Sequence, residues 1–349
     1  MEDDAPRLLE STEVTQAIHQ ARSVRLHKER WRVPGPVPLG LVRKHLPGGP
    51  ILPPVMLVHG FAQNRYSWHT SMRSMSAWLA ERGFDVWNLE LRGHGHSRAE
   101  GDTDAVQGAE RFADYVEDVV RAAGALPGPA FWVGHSLGGA AIYGAATQIQ
   151  GPNRPRGVVG IGGLYTFAQD NPFLKLLGTL THFAADPSRM GGAPGRVQIR
   201  SRLAGQIIGR LYSISDIAGY TFPISGWWPG SMEPDLLQER LERGFDWTSV
   251  KVWQEMSRWA VTGTFDYDTE WRETDVPLLV ILGDKDHLLP IRDGREAFLR
   301  SGSTDKTMQV FDDYNHGTHW GHLDLILGKD APKHVWPLVA QWMELRSRG

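Results

Sequence analysis

The sequence predicts an α/β chain, a mostly parallel, doubly wound sheet carrying an inserted helical lid, or cap. From Val55 onward, short apolar runs alternate with longer stretches of helical spacing. Near-continuous apolar strands separated by helices imply a parallel sheet covered on both faces. The alternation lapses after Gly163 and resumes at Pro277, and an interval of roughly 100 residues is too long for a plain loop. With 349 residues, 41% hydrophobic and 22% charged, the chain can bury a large core without covalent staples. The expected division is a core of residues 1–163 and 271–349 and a lid of residues 164–270.

Taken in order, residues 7–22 carry apolar side chains at mixed helical spacing and predict a short amphipathic helix. Val24–Val33 and Leu39–Leu46 flank Pro34-Gly35-Pro36, a turn signal that favours two strands joined by a loop. The apolar runs VMLVHG (55–60), DVWNLEL (85–91), FWVGHS (131–136) and VVGIGG (158–163) predict sheet strands. Helices are expected at about 70–82, 109–125 and 138–149 between them. Within 164–270, Pro and Gly breaks and the segment GWWPG (226–230) separate helix-like stretches at 234–243 and 249–261. PLLVILGD (277–284) and MQVFDDY (308–314) resume the strands, and a closing helix is expected at about 331–346.

Composition narrows the chemistry. There are no cysteines, so disulfides, thiolate metal sites and a cysteine nucleophile are excluded. A net charge of -3 gives no global attraction to nucleic acid or anionic lipid. No stretch approaches the 18 or so apolar residues of a membrane span. The opening MEDDAPRLLESTEV is acidic and polar, without the basic and apolar regions of an export signal. A cytoplasmic location is therefore expected.

Gly134-His135-Ser136-Leu137-Gly138-Gly139 places a serine between an apolar strand and a small-residue helix. A sharp strand-to-helix turn would lift the serine Oγ above the sheet, and the flanking glycines would let strand and helix approach closely. The plainer reading makes Ser136 a helix cap. A serine hydroxyl is a weak nucleophile and needs a base that is oriented by a carboxylate. Asp284 and Asp286 follow the strand LLVILG; Asp286 fits better, because it lies in the loop rather than at the last step of the strand. His316, His319 and His322 follow the last strand and are the candidate bases. Their spacing could also mark a metal cluster, but without a ligand-rich carboxylate pattern that signal is weak, and neither metal nor cofactor is expected.

The arrangement resembles the α/β-hydrolase fold superfamily of serine hydrolases over about residues 50–345. The segment WGHLDLILGKDAPKHVWPLVAQWM (320–343) looks like the C-terminal end of the acid lipase and esterase branch, and MSRWAVTGTFDYD (256–268) is similar to the stretch that follows that branch's lid. The resemblance selects His322, in the step His322-Leu323-Asp324-Leu325, as the base. Leu137 stands where acid lipases have glutamine, and RGHGHS (92–97) resembles a loop of the epoxide-hydrolase and esterase branch. Epoxide hydrolases and dehalogenases carry aspartate at the nucleophile position, which Ser136 excludes.

The resemblance implies a catalytic set of Ser136, Asp286 and His322. The backbone N–H groups of Leu137 and Phe61, with Ala62 as the alternative to Phe61, would receive the oxyanion. His59 is expected to pack within its turn and Arg92 to brace neighbouring loops. His135, Trp227 and Trp228 are candidate substrate-binding residues; His135 could equally support the turn, and Trp227, Trp228, Trp247, Trp253 and Trp259 could be lid core. The expected function is cleavage of a small ester or lipid-like substrate through an acyl-enzyme. Acyl transfer or amide and thioester hydrolysis with the same triad, or ligand binding without catalysis, are the alternatives.

Overall fold

A computed structural model of the protein describes residues 5–98, 108–184, 198–199, 226–246 and 248–347. Trp247 and most of the middle of the expected lid lie outside the described residues. The nine-stranded sheet runs in the order β1-β2-β3-β5-β4-β6-β7-β10-β11. Its strands are β1 (Arg7–His19), β2 (Arg22–Val33), β3 (Leu39–His45), β4 (Pro54–Val58), β5 (Asp85–Glu90), β6 (Phe131–His135), β7 (Gly157–Ile161), β10 (Leu278–Gly283) and β11 (Lys306–Phe311). A separate antiparallel pair joins β8 (Gln198–Ile199) to β9 (Thr248–Ser249). From β5 to β11 all neighbours are parallel.

Alternate residues of each parallel strand enter different cores. Met56, Val58 and Trp132 join α2 (Phe112–Gly124) and α3 (Leu137–Gln148) on one face. Val55, Leu57, Phe131 and Val133 pack with α1 (Met75–Glu81) and the closing helix Ala331–Ser347 on the other. Because side chains alternate across a strand, a strand covered on both sides must be apolar throughout. That is why these runs are legible in the sequence.

The expected helix at 7–22 is corrected: Arg7–His19 is a strand, paired antiparallel with β2. Val14, Gln16 and Ile18 lie at a period of two, with Val14 and Gln16 half-buried and Ile18 buried, while the first seven residues of the strand stay exposed. Val14 lies opposite Leu26, and Arg25 Nε donates to Glu13 Oε2 across the pair at 2.8 Å. The partner strand supplies these contacts, so pairing overrides a weak local helical pattern.

Between β7 and β10, the described helices are α4 (Pro172–Ala184), α5 (Pro234–Arg243), α6 (Val250–Thr262) and α7 (Asp268–Glu273). α5 and α6 match the stretches expected at 234–243 and 249–261 closely. α4 lies against α6, with Gly178 facing Ala260.

Candidate active site

β6 ends at His135 and α3 begins at Leu137, so Ser136 alone makes the turn. Its φ of 57° and ψ of -125° lie where a residue with a Cβ is strained. Neighbouring backbone fixes it there: Ser136 N–H donates to Ile161 O at 3.3 Å, and Ser136 O accepts from Gly139 and Leu164 N–H at 2.9 Å each. Close crossing demands the flanking glycines. A Cβ on Gly134 would stand 2.4 Å from Gly138 O, and one on Gly138 2.4 Å from Val58 O. His135 and Leu137 are fully buried, whereas Ser136 between them is only partly so.

The turn after β4 passes directly over this serine. A Cβ on Gly60 would lie 2.8 Å from Ser136 Cβ, and Gln63 N–H closes the turn on Gly60 O at 3.2 Å. Among the described residues, the N–H groups of Phe61 and Leu137 donate to no backbone acceptor. His59 belongs to the turn's frame: its Nδ1 meets Gly60 O at 2.9 Å and its Nε2 accepts from Leu91 N–H at 3.1 Å. Burial, then the nearby His94, holds its imidazole well below the usual histidine range. Arg92 braces α2 instead of facing the serine, donating Nε to Asp118 Oδ1 at 2.9 Å.

Asp286 and His322 meet in the interior. His322 Nδ1 lies 2.7 Å from Asp286 Oδ2, and both side chains are almost wholly buried. Asp286 Oδ1 accepts from the N–H groups of Leu288 and Leu289 at 2.9 and 2.7 Å. With the carboxylate as acceptor, the imidazole proton sits on Nδ1 and Nε2 keeps its lone pair. That Nε2 is buried and has no hydrogen-bond partner among the described residues. His135, next to Ser136 in the chain, sets its ring 4.5 Å from that of His322, tilted by 45°, and places Nε2 3.1 Å from His322 O. Burial, then the neighbouring His322, keeps His135 well below the usual histidine range.

The other candidates are engaged separately. Asp284 Oδ2 lies 2.5 Å from His319 Nδ1, and Asp284 Oδ1 accepts from Trp320 N–H at 2.9 Å. His316 Nδ1 accepts from Asp312 N–H at 3.3 Å. The three histidines therefore do not converge on one point. Asp284, Asp313 and His319 form the one group of three or more His, Asp or Glu among the described residues whose ligand-type atoms lie within 4.8 Å of one another. Trp227 is buried with Trp320 and Leu323, and Trp228 sets its ring 4.5 Å from that of His319. Beside the turn stand other aromatics: Phe61 lies 6.1 Å from Trp253, which lies 5.8 Å from Phe167.

Two carboxylates to which the sequence assigns no role, Asp324 and Asp246, anchor this region. Asp324 Oδ2 accepts from Trp228 and Gly321 N–H at 2.7 and 2.5 Å, and its Oδ1 accepts from the Ser231 hydroxyl at 2.5 Å. Burial pushes its carboxyl up to about 7, against the pull of those donors. Asp246 contacts the turn over Ser136. The only local signal for either was the position of Asp324 two residues beyond His322.

The profile of the alpha/beta hydrolase fold family matches residues 53–323. The chain belongs to the α/β-hydrolase family. This α/β-hydrolase is similar in structure to a soluble variant of monoglyceride lipase from Saccharomyces cerevisiae, with a TM-score of 0.61, 17% identity and coverage of 96% of this chain and 97% of that one. It is also similar to the monoacylglycerol lipase of Paleococcus ferrophilus, with a TM-score of 0.57, 16% identity and coverage of 97% and 100%. At such identities the likeness concerns the fold. In sequence it matches protein phosphatase methylesterase 1 of Mus musculus at 35% identity over 103 residues, 29% of this chain and 25% of that protein. The match thus spans a quarter of the relative. Among the described residues, no helix is long and apolar enough to cross a membrane.

Proposed function

We propose that this α/β-hydrolase cleaves carboxylic esters through an acyl-enzyme on Ser136. The observation that carries the reading is the His322 ring. It is buried, bonded through Nδ1 to Asp286, unpartnered at Nε2, and packed beside the residue that precedes a strained, partly accessible serine. In this reading His322 Nε2 takes the Ser136 proton as Oγ attacks the ester carbonyl. Asp286 holds the tautomer and stabilises the imidazolium that forms. Negative charge collects on the carbonyl oxygen, where the N–H groups of Phe61 and Leu137 receive it; one such donor is worth about 2.7–4 kcal/mol of barrier. His322 then protonates the leaving alkoxide, and water completes the second half by the same route.

Phe61, Trp253 and Phe167 would supply the apolar wall for an acyl group. His135, Trp227 and Trp228 would act from beside the base, supporting the histidine loop more than touching the acyl chain. The stretch 164–270 would serve as the lid, a role supported by the contacts of Asp246 and Trp253 with the turn over Ser136. The similarity to lipases and a methylesterase favours ester substrates.

A panel of p-nitrophenyl esters from acetate to palmitate tests the reading, with Ser136→Ala as the control. Turnover that depends on Ser136 supports it. Turnover that survives the substitution rejects the mechanism, and a silent panel favours the binding alternative.

A further inference from the structure

Residues far along the chain are stitched into the turn that passes over Ser136. Asp246 N–H donates to Ala62 O at 2.9 Å, and Phe245 pairs with Gln63 as an isolated antiparallel bridge. The Asn64 side chain donates to Arg243 O at 2.8 Å and to Asp246 Oδ2 at 2.9 Å. The same Asp246 Oδ2 accepts from Gly95 N–H at 2.9 Å, which adds the loop after β5. A second strand of contacts runs beneath. Fully buried Arg240 donates Nη2 to Ser67 Oγ at 3.3 Å, and Ser67 Oγ donates to Gln63 Oε1 at 2.8 Å. Gln63 Oε1 would in turn lie 3.2 Å from a Cβ on Gly60. Ala62 itself has a φ of 58°, a conformation that needs outside support in a residue with a Cβ.

We propose that Asp246 is a positioning residue for the reaction, with Asn64 as its counterpart on the turn. The Asp246 carboxylate gathers Asn64 and Gly95 while its backbone holds Ala62, and this clamp sets where the Phe61 N–H points. The inference rests on the ester-hydrolase reading and deepens it. The stretch between β7 and β10 would then do more than cover the site, since it completes the oxyanion-binding geometry. A donor displaced by about 1 Å loses much of its value toward a tetrahedral oxyanion, yet a planar substrate carbonyl is bound almost as before.

The test is Asp246→Ala in the full chain, assayed with p-nitrophenyl butyrate and with an alkyl trifluoromethyl ketone that adds reversibly to serine. The expected result is a kcat lowered about 10- to 100-fold, with KM changed less than about threefold. Ketone affinity should weaken in parallel with kcat, because the adduct carries the oxyanion. Asp246→Asn, whose amide oxygen can still accept from Asn64 and Gly95, should recover most of the loss. If Asp246→Ala does not fold, Asn64→Ala removes the same bond from the other side and should give the same split. A folded variant with wild-type kcat and ketone affinity, or one altered in KM alone, overturns the clamp. A wild-type chain that neither hydrolyses the ester nor takes up the ketone overturns the hydrolase reading, and the clamp with it.

Discussion

Asp324 holds Trp228 to the histidine loop: one carboxylate oxygen accepts the N–H of Trp228 and the N–H of Gly321. His322 thus sits between two anchored points, Asp286 at its ring and Asp324 two residues along. Asp324 is buried and its carboxyl rises to about 7, whereas an unfolded chain's aspartate titrates near 3.9. The folded protein therefore binds the extra proton between those values, and stability falls as pH rises from about 4 to about 7.

Asp324→Asn should remove that dependence. Its amide oxygen can accept both N–H groups, and its NH2 can donate to Ser231 Oγ. Thermal denaturation at pH 5 and pH 8 measures the effect: the wild type should lose more stability than the variant on going to pH 8. An identical loss in both proteins would show that Asp324 does not carry this titration. Asp324→Ala leaves buried donors unmet and should destabilise by about 1–3 kcal/mol at either pH.

The two acidic candidates after β10 separate cleanly by mutation. Asp286→Asn should lower kcat on the order of 10⁴-fold, because the amide favours the wrong histidine tautomer. Asp284→Asn touches only the His319 side of the loop and should change kcat less than about tenfold. Steady-state kinetics on one ester compares them. A reversed order would move the triad's acid to Asp284.

Ser136→Ala should abolish turnover to within the residual activity of the oxyanion site, a loss on the order of 10⁶-fold. Covalent labelling by a fluorophosphonate, read as an intact-mass increase, should disappear with it. Label retained on the variant would place the nucleophile elsewhere.

Gly138→Ala should cost about 1–3 kcal/mol or more, since its Cβ would stand 2.4 Å from Val58 O and 2.5 Å from His59 O. Both obstacles are backbone and cannot rotate away. Urea denaturation gives the number, and a neutral substitution would mean that strand and helix can separate at this turn without loss.

The parts of the fold legible in the sequence are those fixed by local physics. VMLV, FWVG and LLVILG read as strands because both faces are buried, and the Gly134–Gly138 pattern reads as a tight turn because only glycine fits the crossing. Asp286 could be preferred over Asp284 only by its place deeper in the loop; β10 ends at Gly283, so both carboxylates follow the strand, and it is the structure that brings Asp286 to His322. What escaped was long-range. Residues 7–19 became a strand only through β2, and no local pattern announces that partner. Asp324 meets Trp228 across 96 residues and Asn64 meets Asp246 across 182, so neither carboxylate could be singled out by spacing.

β1 is one of the two edge strands of the sheet, and its first seven residues are exposed. A bare sheet margin offers a row of amide donors and acceptors to any extended chain that drifts past. Glu10, Ser11, Thr12 and Glu13 line that margin, and polar or charged side chains there keep it hydrated and discourage a neighbour from zipping on. Replacing them with valines would therefore threaten colloidal behaviour first, well before it altered any chemistry at the far end of the strands.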